Sequence, residues 1–142
     1  MNDKILKWLY YIVLVIIILS FFVISYWLFY PYHPLTPLPG HRDLVNKKVR
    51  IGEPILYHSR SIRNMAIPYE VNAALVNGEL INFPSIRGVQ KVGERIFVNS
   101  NYVVPRYAST GKHDLEITVI FYVNPIRTIV EKSIIKDIEV IK

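Results

Sequence analysis

The sequence predicts an all-β fold, an immunoglobulin-like antiparallel β-sandwich, preceded by one N-terminal transmembrane helix. Three observations carry that prediction. Residues 8–30, WLYYIVLVIIILSFFVISYWLFY, contain no charged residue, no glycine and no proline. The remainder alternates apolar and polar residues in short runs, with Gly, Pro and Asn punctuating them every 8–12 residues or so. The longest run, Lys112–Val123, keeps strict alternation, with Leu115, Ile117, Val119, Phe121 and Val123 on one face.

The apolar stretch is long enough to cross a bilayer. At about 1.5 Å rise per residue its 23 positions span roughly 34 Å, against a hydrocarbon core of about 30 Å. Its interior hydroxyls, Ser20 and Ser25, can bond back to carbonyls of their own helix. Amphipathic rings stand at both ends: Trp8, Tyr10 and Tyr11 at one, Tyr26, Trp27 and Tyr30 at the other. Such belts form where a ring lies at headgroup depth with its polar edge in water. A cleaved signal peptide would have a shorter apolar core followed by small residues, and here Tyr-Trp-Leu-Phe-Tyr-Pro-Tyr follows instead. A buried helix of a soluble core would not band its aromatics this way. The stretch therefore reads as a signal-anchor. Lys4 and Lys7 precede it and no Lys or Arg follows until Arg42, so the positive-inside rule places the N-terminus in the cytoplasm and the rest outside.

Four regions follow from this: a short cytoplasmic N-terminus over 1–7, the span over 8–30, a proline-rich stalk over 31–41 and a sandwich over 42–142. The stalk, PYHPLTPLPG and the following His41, holds Pro31, Pro34, Pro37 and Pro39. Proline fixes φ and removes the helix donor, so the helix must stop near Tyr30. The segment should then run as polyproline II, a stand-off of roughly 30 Å at most at about 3.1 Å per residue.

Beyond the stalk the pattern is β. Short strands are expected over 44–51 and 55–62, separated by Gly52-Glu53-Pro54. Residues 69–76 and 79–83 flank Asn77-Gly78, which predicts a hairpin with a type I′ turn, both turn residues at positive φ. Residues 95–98 and 102–104 read as strand pieces with Asn99-Ser100-Asn101 as a turn or bulge between them. Asn124-Pro125 ends the long strand, and 126–130 and 133–141 are the last two. In the final strand Ile134, Lys136, Ile138 and Val140 share a face, so that Lys136 would blunt an otherwise apolar sheet edge. A closed barrel is the alternative architecture.

Composition bounds the chemistry. The chain has 142 residues, 17 basic and 11 acidic. Without Lys4, Lys7 and Asp3, 15 basic residues face 10 acidic ones, a modest bias suited to weak attraction to anionic surfaces. The absence of cysteine excludes disulfides, thiolate metal sites and a cysteine nucleophile. It also tilts the source towards bacterial or viral, as does the lack of any Asn-x-Ser/Thr acceptor. His33, His41, His58 and His113 lack partners at metal-ligand spacing and read as surface or edge residues. His58-Ser59 is no nucleophile–base pair, since neighbours on a strand point to opposite faces. No paired carboxylates, GxSxG elbow, GxGxxG or Walker loop occurs. No enzyme, cofactor or metal is expected.

A Gly-x-Pro opening at Gly52–Pro54, and a strand carrying Gly111, Leu115 and Tyr122 that ends in Asn124-Pro125-Ile126-Arg127, resemble small single-pass membrane proteins encoded by bacteriophages. That resemblance implies a span followed by an immunoglobulin-like sandwich, viral or mobile-element origin and placement in the host inner membrane. It lends no catalytic residues. His113 departs from it, standing where a tyrosine closing the sandwich corner is expected.

The function class expected is binding or structural: a membrane-anchored domain that docks a protein partner at the membrane surface, by an edge strand or loop tips. Candidate anion or partner contacts are Arg60, Arg63, Arg87, Arg95 and Arg106, with Tyr102 and Tyr107 near the last. Interspersed acidic residues make a mixed, solvated face the blander reading of these cations. Two other classes are open, a lysis or host-membrane effector acting through its span and a polyanion-binding module. Nucleic acid is not an expected partner, because a single-strand site needs a basic groove with stacked aromatics and the domain lies outside the cytoplasm.

Overall fold

A computed structural model describes residues 3–142 and divides them into two units. The first comprises the N-terminal segment to Tyr32 together with Asn124–Arg127. Its helix α1, Asp3–Phe29, buries none of its side chains and is the one helix among the described residues long and apolar enough to cross a membrane. The helix begins before the expected first residue of the span, taking in Lys4 and Lys7, and ends one residue short of Tyr30. Of the expected interface rings, Trp8, Tyr10, Tyr11, Tyr26 and Tyr30 are exposed and Trp27 is half-buried.

A helix leaves its last carbonyls without amide partners. Here Asn124 Nδ2 donates to the Trp27 carbonyl at 3.0 Å, and Arg127 Nη1 donates to those of Leu28 and Tyr30, each at 2.7 Å. The Arg127 guanidinium also lies 5.6 Å from the Tyr32 ring centre. A cation at this end complements the helix dipole. The Asn-Pro-Ile-Arg motif thus has a local structural role within this unit.

The second unit, His33–Val123 with Thr128–Lys142, is built of two sheets. The small sheet runs β1 (Leu35–Pro37), β3 (Pro54–Arg63), β7 (Gly93–Val103). The large sheet runs β2 (Lys48–Arg50), β9 (Arg127–Ile141), β8 (Gly111–Asn124), β4 (Pro68–Asn77), β5 (Glu79–Asn82), with β6 (Ile86–Val89) on the other part of β4. One core joins them: Ile55, Tyr57 and Tyr102 from the small sheet, and Leu75, Leu115, Ile117 and Phe121 from the large one. The strand alternation over 112–123 is as expected, with Leu115, Ile117, Val119 and Phe121 buried and Val123 half-buried.

Several expectations change. The sheet is mixed rather than wholly antiparallel, because β2 joins β9 in parallel. The strand expected over 44–51 shrinks to Lys48–Arg50, with Leu44 bridging Tyr57 by itself. Residues 31–41 contribute a strand, since Leu35–Pro37 pair with Ser61–Arg63, and Pro34 is buried. Residues 99–101 do not break the chain: β7 runs on through a register shift opposite Ile55–Tyr57.

The hairpin register also differs. A two-residue turn on Asn77-Gly78 would pair Val76 with Glu79 and Leu75 with Leu80. The observed ladder pairs Asn77 with Glu79 and Leu75 with Ile81. Leu75 and Ile81 are both buried while Leu80 is exposed, so burial of Ile81 selects the register. Gly78 alone then takes the left-handed conformation, φ 68°.

The final two expected strands are one, β9, with a kink at Asp137, whose φ is 60°. Ile135 and Ile138, three apart, are both buried, so alternation slips by one residue there. Ile134 and Lys136 consequently face outward, and Lys136 does not enter the apolar face.

Candidate functional site: a cationic cleft and an open strand edge

Strand β3 places Ile55, Tyr57, Ser59 and Ser61 on its buried face and continues to Arg63. Two apolar residues give way to two serines and a cation, which is unusual for a face turned towards a core. Opposite them on β7 are Asn99, Phe97 and Arg95, in register with Tyr57, Ser59 and Ser61. Across the gap the large sheet presents Val71, Val119 and Phe121. Between these walls lies a cavity of about 130 Å³, polar on the small-sheet side and apolar on the other.

Arg42 is the most constrained residue at this cavity. Its φ is 72°, a conformation rare for a side chain of this size. Its amide donates to the His58 carbonyl at 2.7 Å, and Nη1 donates to the Tyr57 hydroxyl at 3.1 Å. The guanidinium carbon stands 5.2 Å from the Tyr57 ring centre, within cation–π range. The Tyr57 and Tyr102 rings are parallel within 6°, their centres 6.3 Å apart. Burial raises the pKa of both phenols, Tyr57 the more strongly, while the Arg42 charge acts in the opposite direction.

His41 lies beside it. Its Nδ1 accepts the Arg60 amide at 3.0 Å, so that nitrogen is unprotonated. Burial and then the Arg42 guanidinium lower its pKa. A neighbouring pocket of about 160 Å³ shares Leu35, His41, Arg42 and Val119 with the cavity and adds Glu131. Burial raises the Glu131 pKa, with Arg42 again opposing.

The five arginines named as candidate anion or partner contacts do not share one face. Arg63 lines the cavity. Arg60 follows Ser59 on β3 and points to the other face of the sheet, in register with Ile96. Arg87 is paired with Glu70 at 3.0 Å, and that carboxylate also accepts from the Tyr122 hydroxyl at 3.2 Å. The Arg87 bond holds the Glu70 carboxyl below the usual carboxylate range. Arg95, opposite Ser61, and Arg106 are exposed. Arg42, the cation that organises the cleft, was not among those expected from the sequence. Only its place beside His41 just after the proline run could have hinted at it.

His113 corrects another expectation. It is buried rather than exposed, with Nδ1 3.1 Å from the Gly111 carbonyl oxygen and Nε2 3.5 Å from the Ser109 hydroxyl. A carbonyl can only accept, so Nδ1 carries the hydrogen. Among the described residues no group of three or more His, Asp or Glu is arranged to hold a metal ion.

The second feature is an edge. β7 is hydrogen-bonded to β3 on one side and, among the described residues, to no strand on the other. It is 11 residues long, lacks proline and exposes Ile96 (61%), Phe97, Val98 and Val103. Edges of this length and character are templates for further pairing. Comparisons with protein families, with curated proteins and with solved structures find no match to this chain.

Proposed function

We propose that the protein is a membrane-anchored, non-enzymatic binding module of viral or mobile-element origin. In this reading α1 crosses the bilayer with its N-terminus in the cytoplasm, and the β unit, an immunoglobulin-like sandwich, stands outside. It docks a protein partner through β7, and that partner is a second copy of the chain. The observation that carries the reading is the open, proline-free, apolar edge of β7.

Self-complementarity favours the second copy. An antiparallel pairing about a twofold axis at Ile96 sets Ile96 opposite Ile96 and Glu94 opposite Val98 of the second copy. On the other face it sets Arg95 opposite Phe97 of the second copy, a cation beside a ring. No like charges face each other in this register. Twofold, self-complementary contacts are the commonest among homo-oligomers, and anchoring two copies in one bilayer raises their effective concentration.

The absence of native cysteine makes the test direct. Full-length Ile96→Cys, oxidised in native membranes, should give a disulfide-linked dimer, because directly opposed strand residues lie within disulfide reach. Leu80→Cys, exposed on β5 of the other sheet, should not. Failure of Ile96→Cys to cross-link, or equal cross-linking at both positions, overturns the proposal.

A further inference from the structure

We infer that the cavity between the sheets binds a small amphipathic oxyanion, a carboxylate or phosphate carried on a compact apolar body. This rests on the cavity and not on the pairing of β7. Arg42 and Arg63 both line the cavity; their Nε atoms, like that of Arg60 on the other face of β3, are shielded by protein and have no hydrogen-bond partner. Neither arginine forms an ion pair among the described residues, and no Asp or Glu lines this cavity. Two guanidinium charges lining one cavity without a carboxylate partner favour an anion there, and an oxyanion would pair with them through charge-assisted bonds.

The walls define the rest of the ligand. Tyr57, Ser59, Ser61 and Asn99 supply further polar groups on the small-sheet side, where Arg63 ends β3. Val71, Val119 and Phe121 offer an apolar surface facing them. A volume of about 130 Å³ is close to that of an apolar cavity able to admit one benzene ring. An oxyanion with no apolar body would leave the large-sheet wall unfilled, and an uncharged apolar molecule would leave the two guanidinium charges unpaired. The left-handed backbone of Arg42 fits this role. A strained conformation held by two hydrogen bonds and a ring contact fixes the guanidinium before any ligand arrives.

Benzoate is a suitable first probe, with phenyl phosphate, inorganic phosphate and benzyl alcohol as comparators, titrated by calorimetry into the full-length protein in lipid nanodiscs. Benzoate or phenyl phosphate should bind saturably, and inorganic phosphate and benzyl alcohol at least about tenfold more weakly. Whichever of the two ring-bearing anions binds more tightly identifies the preferred headgroup. Arg42→Asn removes the guanidinium while keeping a residue that tolerates positive φ, and Arg63→Gln removes the second cation in an ordinary strand conformation. Each should weaken binding by about tenfold or more, whereas Arg87→Gln, at the Glu70 pair, should leave it unchanged. Saturable perturbation of the Arg42 and Arg63 Nε–H resonances by the bound anion supports the site directly. No saturable binding of either ring-bearing anion, equal binding of inorganic phosphate, or undiminished binding in both Arg42→Asn and Arg63→Gln overturns the inference.

Discussion

Arg42 governs the chemistry of its neighbours at the level of single residues. Its charge acts on His41, Tyr57, Tyr102 and Glu131 alike. The sign for His41 follows from its lowered pKa. In the unfolded chain the imidazole titrates near 6.5, and in the folded protein it gains its proton only at lower pH. The unfolded state then binds more protons as pH falls, so the contribution of His41 to stability is present above about pH 6.5 and is lost below it. Between pH 7.5 and 5 the Tm of the full-length protein should fall more steeply than that of His41→Gln, against the opposite contribution of Glu131, whose raised pKa favours the folded state as pH falls. An unchanged slope in the variant would assign the pH dependence elsewhere. Little of this was legible beforehand. Arg63 could be named from its cationic type, but the placement of the half-buried Arg42 depends on contacts with Tyr57 and His58, distant in sequence. Arg87 shows the converse, a cation neutralised by a cross-strand carboxylate, Glu70, that only the β4–β6 register brings opposite.

Among the elements, strand existence was easier to read than strand register. The alternation over 112–123 announces β8 because its period is carried by the strand itself. The β4–β5 hairpin shows the limit. Asn77-Gly78 correctly marks a reversal, yet the turn takes the form that buries Ile81 against Leu75 rather than the one preferred by the dipeptide. This leaves the positive φ to Gly78 by itself. Gly78→Ala should therefore destabilise the protein by about 1–2 kcal/mol, the cost of a left-handed residue with a Cβ, measured by urea denaturation. A two-residue turn sharing the strain with Asn77 would not concentrate the cost there. β9 makes the same point, since one residue in the left-handed region, Asp137, moves Ile134 and Lys136 out of the apolar face they were expected to share with Ile138.

At the scale of the whole molecule, the sequence speaks most clearly where composition alone decides. The 23-residue apolar run lies within a helix long and apolar enough to cross a membrane, and α1 buries none of its side chains. The division into a mostly β unit and an apolar helix was legible for that reason. The partition of strands into sheets of three and six was not, because it depends on which strands meet across loops of similar length. The proposed function joins both parts, an anchor that keeps the chain in the membrane and a β unit that presents β7 on the far side. Each part can be tested alone, but the account depends on their holding together in one protein.

Tyr107→Cys in the full-length chain provides the most direct measurement, because the position is exposed and no other thiol competes. Cells expressing it are treated with a membrane-impermeant maleimide, and membranes are then washed in alkaline carbonate. The account predicts that intact cells label the protein and that the labelled chain stays in the washed membranes until detergent is added. Labelling only after permeabilisation, or release of the full-length chain by carbonate alone, contradicts it.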